Sequence, residues 1–328
     1  MADYKGIKGF TIPNVSSDPD NPIAGQIWYN STSATLKGEV EAGVGEGTWA
    51  AGGSLSTARN PSGAMSGIQT AALNISGPYS GSVDNVEQYN GTSWTEIADV
   101  NAPRENAMSS SSGPATATLF VAGNCPGAVT YCEQFNGTSW TEVNDVNTAK
   151  GQGAGVGTET AALVFGGVDS WYTAKTEDYN GTSWTEVADL NLARANLSSF
   201  GIQALAFGVG GRAPGTPAIK PNVESWNGTS WTETTEANTA KSEASGSGVT
   251  TAGLFYGGAA PPGNTATTEY WNGSSWTELA DLATAGSRIS CNMGASSTAT
   301  IVPLQASPSL TTEEWNVPDT TTVTITTS

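Results

Sequence analysis

The sequence predicts an all-β protein assembled from repeated four-stranded sheets, and three observations carry that prediction. The first is a recurring phrase: an aromatic residue, Asn-Gly, two hydroxyl residues and Trp, at 89–94, 135–140, 179–184, 226–231 and 271–276. A degraded copy of its end is Gly47-Thr48-Trp49. The second is the period: Trp49, Trp94, Trp140, Trp184, Trp231 and Trp276 are separated by 45, 46, 44, 47 and 45 residues. Such spacing marks a repeat architecture. The third is local texture: short β-prone runs bounded by Gly and polar turns, with no helical periodicity.

Residues 1–24 read as an extended, proline-punctuated arm, and 25–46 as one or two strands leading into the body. The first domain boundary is therefore expected near residue 34, with 1–34 an N-terminal arm and lead-in and 35–328 the repeat body. Each Asn-Gly predicts a tight hairpin with positive φ at both central residues. The unit around Trp184 shows the strands. A small-residue segment, 151–157, is followed by an apolar strand, 160–165, closed by Gly166-Gly167. Segments 175–179 and 182–187 are the third and fourth strands. Apolar strands are expected likewise at 70–75, 117–121, 203–207, 253–256 and 299–302.

Four strands per Trp-marked unit fit one blade of a β-propeller. On this reading the glycines at 151, 153, 155 and 157 leave the innermost strand bare where blades converge on a channel, and outer-strand aromatics fill the wedge between sheets. The sixth unit ends at Glu313-Glu314-Trp315-Asn316 and lacks the following Gly-Thr-Ser-Trp. Gly47-Thr48-Trp49-Ala50 is expected to supply that strand, so that N- and C-terminal strands close the ring. The alternating tail at 321–325 is expected beside the closing sheet or beside 36–40. The predicted fold is a β-propeller of six four-stranded blades, with seven as the alternative count.

Composition bounds the function. Formal net charge is −18, from 12 Lys and Arg against 30 Asp and Glu, with no His. Such a surface repels nucleic acid and anionic membranes, and no apolar run is long enough to span a bilayer. Regular aromatics argue against disorder. The N-terminus lacks the apolar core of a secretory signal, which predicts synthesis in a cytoplasm. Cys125, Cys132 and Cys291 read as free, mostly buried thiols, although Cys125 and Cys132 are close enough in sequence to pair. Three scattered cysteines without histidine predict no metal site, and no cofactor is expected.

Charges recur in register. Glu87, Glu133, Glu177, Glu224, Glu269 and Glu313 each stand two before the strand aromatic. Arg59, Arg104, Lys150, Arg194 and Lys241 each follow a repeat Trp by ten, and the sixth unit has Gly286 there, with Arg288 shifted by two. A catalytic group is needed once; groups at every repeat are architectural. Each cation is expected to meet a carboxylate of its own or the adjoining sheet. A ring of cations binding an anion is the functional alternative. A second series, Glu96, Glu142, Glu186, Glu233 and Glu278, lies two after each Trp and reads as edge protection on an outer strand, with calcium binding the alternative.

Connections between second and third strands are the least repetitive segments: 78–84, 125–129, 168–172, 212–222, 259–265 and 307–311. A rigid frame carrying variable loops suits recognition. Tyr79, Trp171, Tyr172 and Arg212 are the ligand-contact candidates, an aromatic platform with nearby amides suiting a sugar ring.

The glycine doublet followed by Tyr and then Trp resembles the kelch repeat. Gly166-Gly167 and Gly257-Gly258 match the doublet, and Tyr89/Trp94 and Tyr179/Trp184 the aromatic pair. Ser76-Gly77, Ala122-Gly123 and the sixth unit depart from it. The iterated Asn-Gly-Thr-Ser-Trp-Thr-Glu, with Gly25-Gln26-Ile27-Trp28-Tyr29-Asn30 before it, is similar to kelch-like virion proteins of tailed phages, notably marine cyanophages. That resemblance implies a non-catalytic structural component of a fibre, baseplate or capsid, located in the virion. Its partners would be other virion proteins, reached through the N-terminal arm. The rival expectation is a module binding a host-surface polysaccharide through the loop face. An enzyme is disfavoured. Copper-radical propeller oxidases need two histidines, and the sialidase turn Ser-x-Asp-x-Gly-x-Thr-Trp is echoed only at Gly91 and Trp94, with Tyr89 at the Asp position.

Overall fold

The computed structural model describes residues 12–20, 22–41, 43–57, 63–78, 82–216, 218–287, 293–294, 296–303, 310–318 and 320–325. It is all-β apart from a 3-10 turn at Val44–Glu46. The chain divides into two compact units: Thr48–Asn316, and a smaller one drawn from Met1–Gly47 and Val317–Ser328. The division differs from the boundary expected at residue 34. The reason is long-range pairing: Thr35–Glu41 bonds Ile27–Asn30 on one side and Thr320–Thr324 on the other.

In the smaller unit, Asn14–Val15 pairs in parallel with Ile27–Asn30, so part of the expected arm is a strand. Residues 1–11 lie outside the described residues. Asp18 closes the unit by accepting from Trp28 Nε1 at 2.9 Å, Asn30 Nδ2 at 2.7 Å and Lys37 Nζ at 2.6 Å. These partners, Lys37 foremost, hold its carboxyl down to about 2.

The larger unit repeats one antiparallel meander. The first sheet is Ala64–Ile68, Ala71–Pro78, Ser82–Tyr89 and Trp94–Glu96. The second is Met108–Ser109, Thr118–Val121, Cys132–Phe135 and Trp140–Val143, and the third Ala154–Thr158, Ala161–Phe165, Thr176–Tyr179 and Trp184–Val187. The fourth is Ser198–Ile202, Leu205–Val209, Val223–Trp226 and Trp231–Thr234, and the fifth Ser245–Val249, Ala252–Tyr256, Thr268–Trp271 and Trp276–Glu278. The sixth joins Ala299–Pro303 and Thr312–Asn316 to Thr48–Ala51, with Trp315 opposite Trp49, as the degraded phrase predicts.

Sheets pack face to face through apolar clusters. Leu73, Ile75 and Val86 of the first meet Phe120, Phe135 and Trp140 of the second. Equivalent clusters join second to third, third to fourth and fourth to fifth. The sixth meets the first through Ile301 against Met65, Tyr89 and Trp94, and the fifth through Trp49 against Tyr256, ring centroids 4.9 Å apart. Fully buried aromatics of this size supply the largest apolar areas available to the fold.

One expectation about backbone chemistry is corrected. The hairpin asparagines are not in positive φ; only the glycines are, Gly181 at +90°. The loop has four residues, and Asn180 works through its side chain, accepting from Thr182 N and Ser183 N at 2.9 Å each. An Asx turn replaces the type I′ turn. The inner-strand glycines are required by contact with the neighbouring sheet. A Cβ on Gly155 would collide with the Ser109 carbonyl of the neighbouring sheet, and one on Gly153 would come within 2.6 Å of Met108 Sδ. They permit adjacent inner strands to touch, and Ser112 N donates to Gly157 O at 3.0 Å across that gap.

The glycine doublet also has a specific task. Both residues are left-handed, Gly166 at +65° and Gly167 at +106°, and Ala122 at +53° with Gly123 at +105° repeats the geometry with a side chain. Ala122→Gly is expected to stabilise by a few tenths to about 1 kcal/mol by relieving that strain. Gly123→Ala, whose Cβ would lie 2.9 Å from Ala107 Cβ, is expected to cost more than about 1 kcal/mol. Urea midpoints of the two variants check both signs.

Candidate functional site

The recurring charges form a repeated buried joint. The segment entering each sheet runs from the repeat Trp toward the next inner strand and carries the cation. Arg104 Nη1 meets Glu133 at 2.8 Å, Lys150 Nζ meets Glu177 at 3.3 Å, Arg194 Nη2 meets Glu224 at 2.9 Å and Lys241 Nζ meets Glu269 at 3.3 Å. All four cations are fully buried. Arg59 lies outside the described residues. Glu87 accepts from Ser56 N and Thr57 N. The sixth joint keeps its carboxylate: Glu313 accepts from Ala283 N at 2.8 Å and Thr284 N at 3.1 Å, and among the described residues no cation pairs with it.

Each carboxylate has several donors. Glu224 accepts from Asn191 N at 2.6 Å, Asn191 Nδ2 at 2.8 Å and Leu192 N at 3.3 Å besides Arg194. Multiple donors are what allow a charge to stay ionised away from water. Sequence reasoning missed the asparagines, although the signal was there: Asn101, Asn147, Asn191 and Asn238 each follow a repeat Trp by seven. Asn147 Nδ2 and Asn191 Nδ2 also donate to Trp184 O and Trp231 O, both at 3.1 Å, tying the entering segment to the outer strand.

Burial lowers the affinity of these cations for their protons. Arg104, Lys150 and Arg194 are all drawn below their ordinary values by desolvation, with the facing glutamate opposing. Lys241 is drawn down to about 8 by burial, against the pull of Glu269. The second glutamate series is exposed on the outermost strands, with Glu186 directly opposite the buried Glu177 and Glu233 opposite Glu224. Among the described residues no group of His, Cys, Asp and Glu could hold a metal ion.

The repeat tryptophans Trp94, Trp140, Trp184, Trp231 and Trp276 are buried and Trp49 half-buried. Trp231 Nε1 donates to Thr176 Oγ1 of the preceding sheet at 3.0 Å, and Trp49 Nε1 to Thr268 Oγ1 at 2.9 Å. Where that position is Val86 or Val223, the indole turns to a backbone carbonyl, Ala98 or Thr235. Cys132 is buried and free, its thiol pushed up to about 12 by burial; Cys125 is free and exposed. Cys291 lies outside the described residues.

The loop candidates separate. Tyr79 lies outside the described residues. Trp171 is 66 % exposed, the only exposed tryptophan of the eleven. Its ring meets half-buried Tyr172 edge-on, centroids 5.5 Å apart at 81°. Asp169 fixes the turn by accepting from Ser170 N and from Trp171 N at 3.1 Å, which lowers its pKa. Arg212 is half-buried on the corresponding loop of the fourth sheet.

Backbone bonds connect these loops. Val168 bridges both Tyr172 and Gly151, Asn196 N donates to Gln152 O at 2.7 Å, and Arg212 bridges Ala195 and Ile219. Gln152 at +59° and Asn196 at +52° are left-handed residues that carry side chains, as are Asn106 and Glu243 in the neighbouring sheets. Sequence reasoning could not find Gln152 and Glu243, because Gln and Glu carry no preference for that conformation, whereas Asn106 and Asn196 are of a type enriched there.

A comparison with protein-family models gives no match, and a search of curated proteins gives none.

Two outcomes test the joints. Glu224→Ala is expected to cost about 3–5 kcal/mol, since it strands a buried guanidinium. Arg194→Met is expected to cost less, about 1–3 kcal/mol, because the carboxylate keeps its backbone donors as Glu313 does; denaturant unfolding of both variants compares them. Lys241 gives a pH signature. Below pH 8 both folded and unfolded chains hold its proton. Between about 8 and 10.5 the unfolded chain holds it more fully, so this group's contribution to stability rises with pH. The stability of the native sequence relative to Lys241→Met is therefore expected to increase across that window in urea titrations; a flat difference contradicts the burial argument.

Proposed function

We propose that the larger unit is a six-bladed, kelch-like propeller acting without catalysis as a component of a tailed-phage particle, in contact chiefly with other virion proteins. Support for the ring comes from the sixth sheet, which touches both the fifth and the first. Support for a non-catalytic role comes from the recurring acids and bases. Those at the four described joints are engaged with one another and with backbone donors, which suits a scaffold rather than an acid–base pair poised for chemistry. The particle assignment rests on the resemblance of the repeated phrase and of residues 25–30.

One observation favours a second reading, binding of a host-surface glycan. The chain buries or half-buries ten of eleven tryptophans and leaves Trp171 exposed on a non-repeating loop. An exposed indole on a turn held by Asp169 offers a flat apolar face for a ligand to stack on.

Mass spectrometry of purified phage particles tests the first reading. The chain is expected at a fixed ratio to the major structural proteins after density-gradient purification. Its confinement to the host lysate overturns the particle assignment.

A further inference from the structure

Twelve cations serve a chain with thirty acids, so the fate of each is informative. Among the described residues, Lys37, Arg104, Lys150, Lys175, Arg194 and Lys241 are each within ion-pair distance of a carboxylate. Arg212 and Lys220 are the two described cations without such a partner. Both are half-buried, and both stand on the loop between the second and third strands of the fourth sheet. The sequence from 212 to 222 contains no acid. Their isolation leaves a local positive site on a negative molecule.

Backbone bonds link that loop to the one carrying the exposed indole, running from Tyr172 through Val168, Gly151, Gln152, Asn196 and Ala195 to Arg212. Trp171 and Tyr172 stand at one end of the string, the half-buried amides of Gln152 and Asn196 along it, and Arg212 and Lys220 at the other. Of the acids beside it, Asp169 is turned into its own loop, bonded to Ser170 and Trp171, and Glu243 meets the string through its backbone N, which donates to Asn196 O at 2.9 Å.

We propose that these two loops together bind an anionic polysaccharide, one sugar ring stacked on Trp171 and the carboxylate of another residue of the same polymer held by Arg212 and Lys220. The proposal deepens the glycan reading above and rests on it. An aromatic face suits the apolar side of a pyranose, amides suit its hydroxyls, and a guanidinium suits a carboxylate in bidentate geometry. Two cations match a polymer bearing one widely spaced charge per residue. A densely charged phosphate polymer would be repelled by the rest of the molecule.

Tryptophan fluorescence titration with trigalacturonate, and with maltotriose as the neutral probe, tests it on the full chain. Trigalacturonate is expected to bind at least about tenfold more tightly than maltotriose, weakening as salt rises from about 0.05 to 0.5 M. Arg212→Met/Lys220→Met is expected to abolish that preference with the thermal midpoint unchanged, and Trp171→Ala to remove binding of both sugars. Equal affinity for both trisaccharides, unaffected by the cation variant, overturns the anionic assignment and leaves the glycan reading standing. Binding of neither overturns both. Binding of a poly-glutamate peptide as tightly as trigalacturonate, unaffected by Trp171→Ala, overturns the saccharide assignment in favour of an acidic protein.

Discussion

At each of the four described ion-pair joints one residue ties a sheet to the next, and Arg194 shows how. Its carbonyl accepts from Gly167 N of the third sheet at 2.7 Å, while its guanidinium reaches Glu224 of the fourth. Lys150 does the same between second and third sheets through Gly123 N, and Lys241 between fourth and fifth through Gly211 N, both at 2.8 Å. At Arg104 the Ser76 hydroxyl takes the place of the glycine amide, donating to Arg104 O at 2.6 Å. The cation's backbone thus belongs to one sheet and its side chain to the next. The two consecutive left-handed residues of the doublet aim the amide at that carbonyl, which a residue in extended conformation could not do.

A buried ion pair is weak evidence of stability by itself, because desolvation opposes the Coulomb gain. What makes these joints tolerable is the carboxylate's full set of donors. The sixth joint shows the part common to all: Gly286 O still accepts from Gly258 N at 2.6 Å, and Glu313 still takes two backbone amides, with no cation between them among the described residues. The backbone cradle is common to every described joint; the cation is an addition that also covers an aromatic face, as Arg104 does over Phe120 at 4.2 Å.

Much of this was legible because repetition amplifies weak signals. One Glu two before an aromatic says little; six of them, with a cation ten after each Trp, say that the pair meets. The pairing of Thr48–Ala51 with the strand of Trp315 followed from one missing phrase at the end and one orphan phrase at the start. Other features were illegible for physical reasons. The role of Asn180 depended on whether its backbone or its side chain makes the turn, and both use the same two letters. Gly155 looked like a channel lining, yet the constraint is a carbonyl of another sheet. The division at Gly47 depends on pairing between residues 37–41 and 320–324; the alternation of the tail offered that placement as one of two, and alternation alone does not choose between sheet edges. The free state of Arg212 and Lys220 is visible only once every other described cation has been seen to have a partner.

The joints leave function to the loops, since the frame they fix is the same at every seam while residues 168–172 and 212–222 differ from their counterparts. That division depends on each seam opening only when the whole unit does. Native-state hydrogen exchange at Gly167 and Asn191, on the two sides of the Arg194 joint, measures it directly. Both amides are expected to exchange only through global unfolding, with equal protection and equal denaturant dependence, and Arg194→Met is expected to accelerate both together. Exchange of either amide through a local opening, independent of denaturant and untouched by that substitution, contradicts the claim.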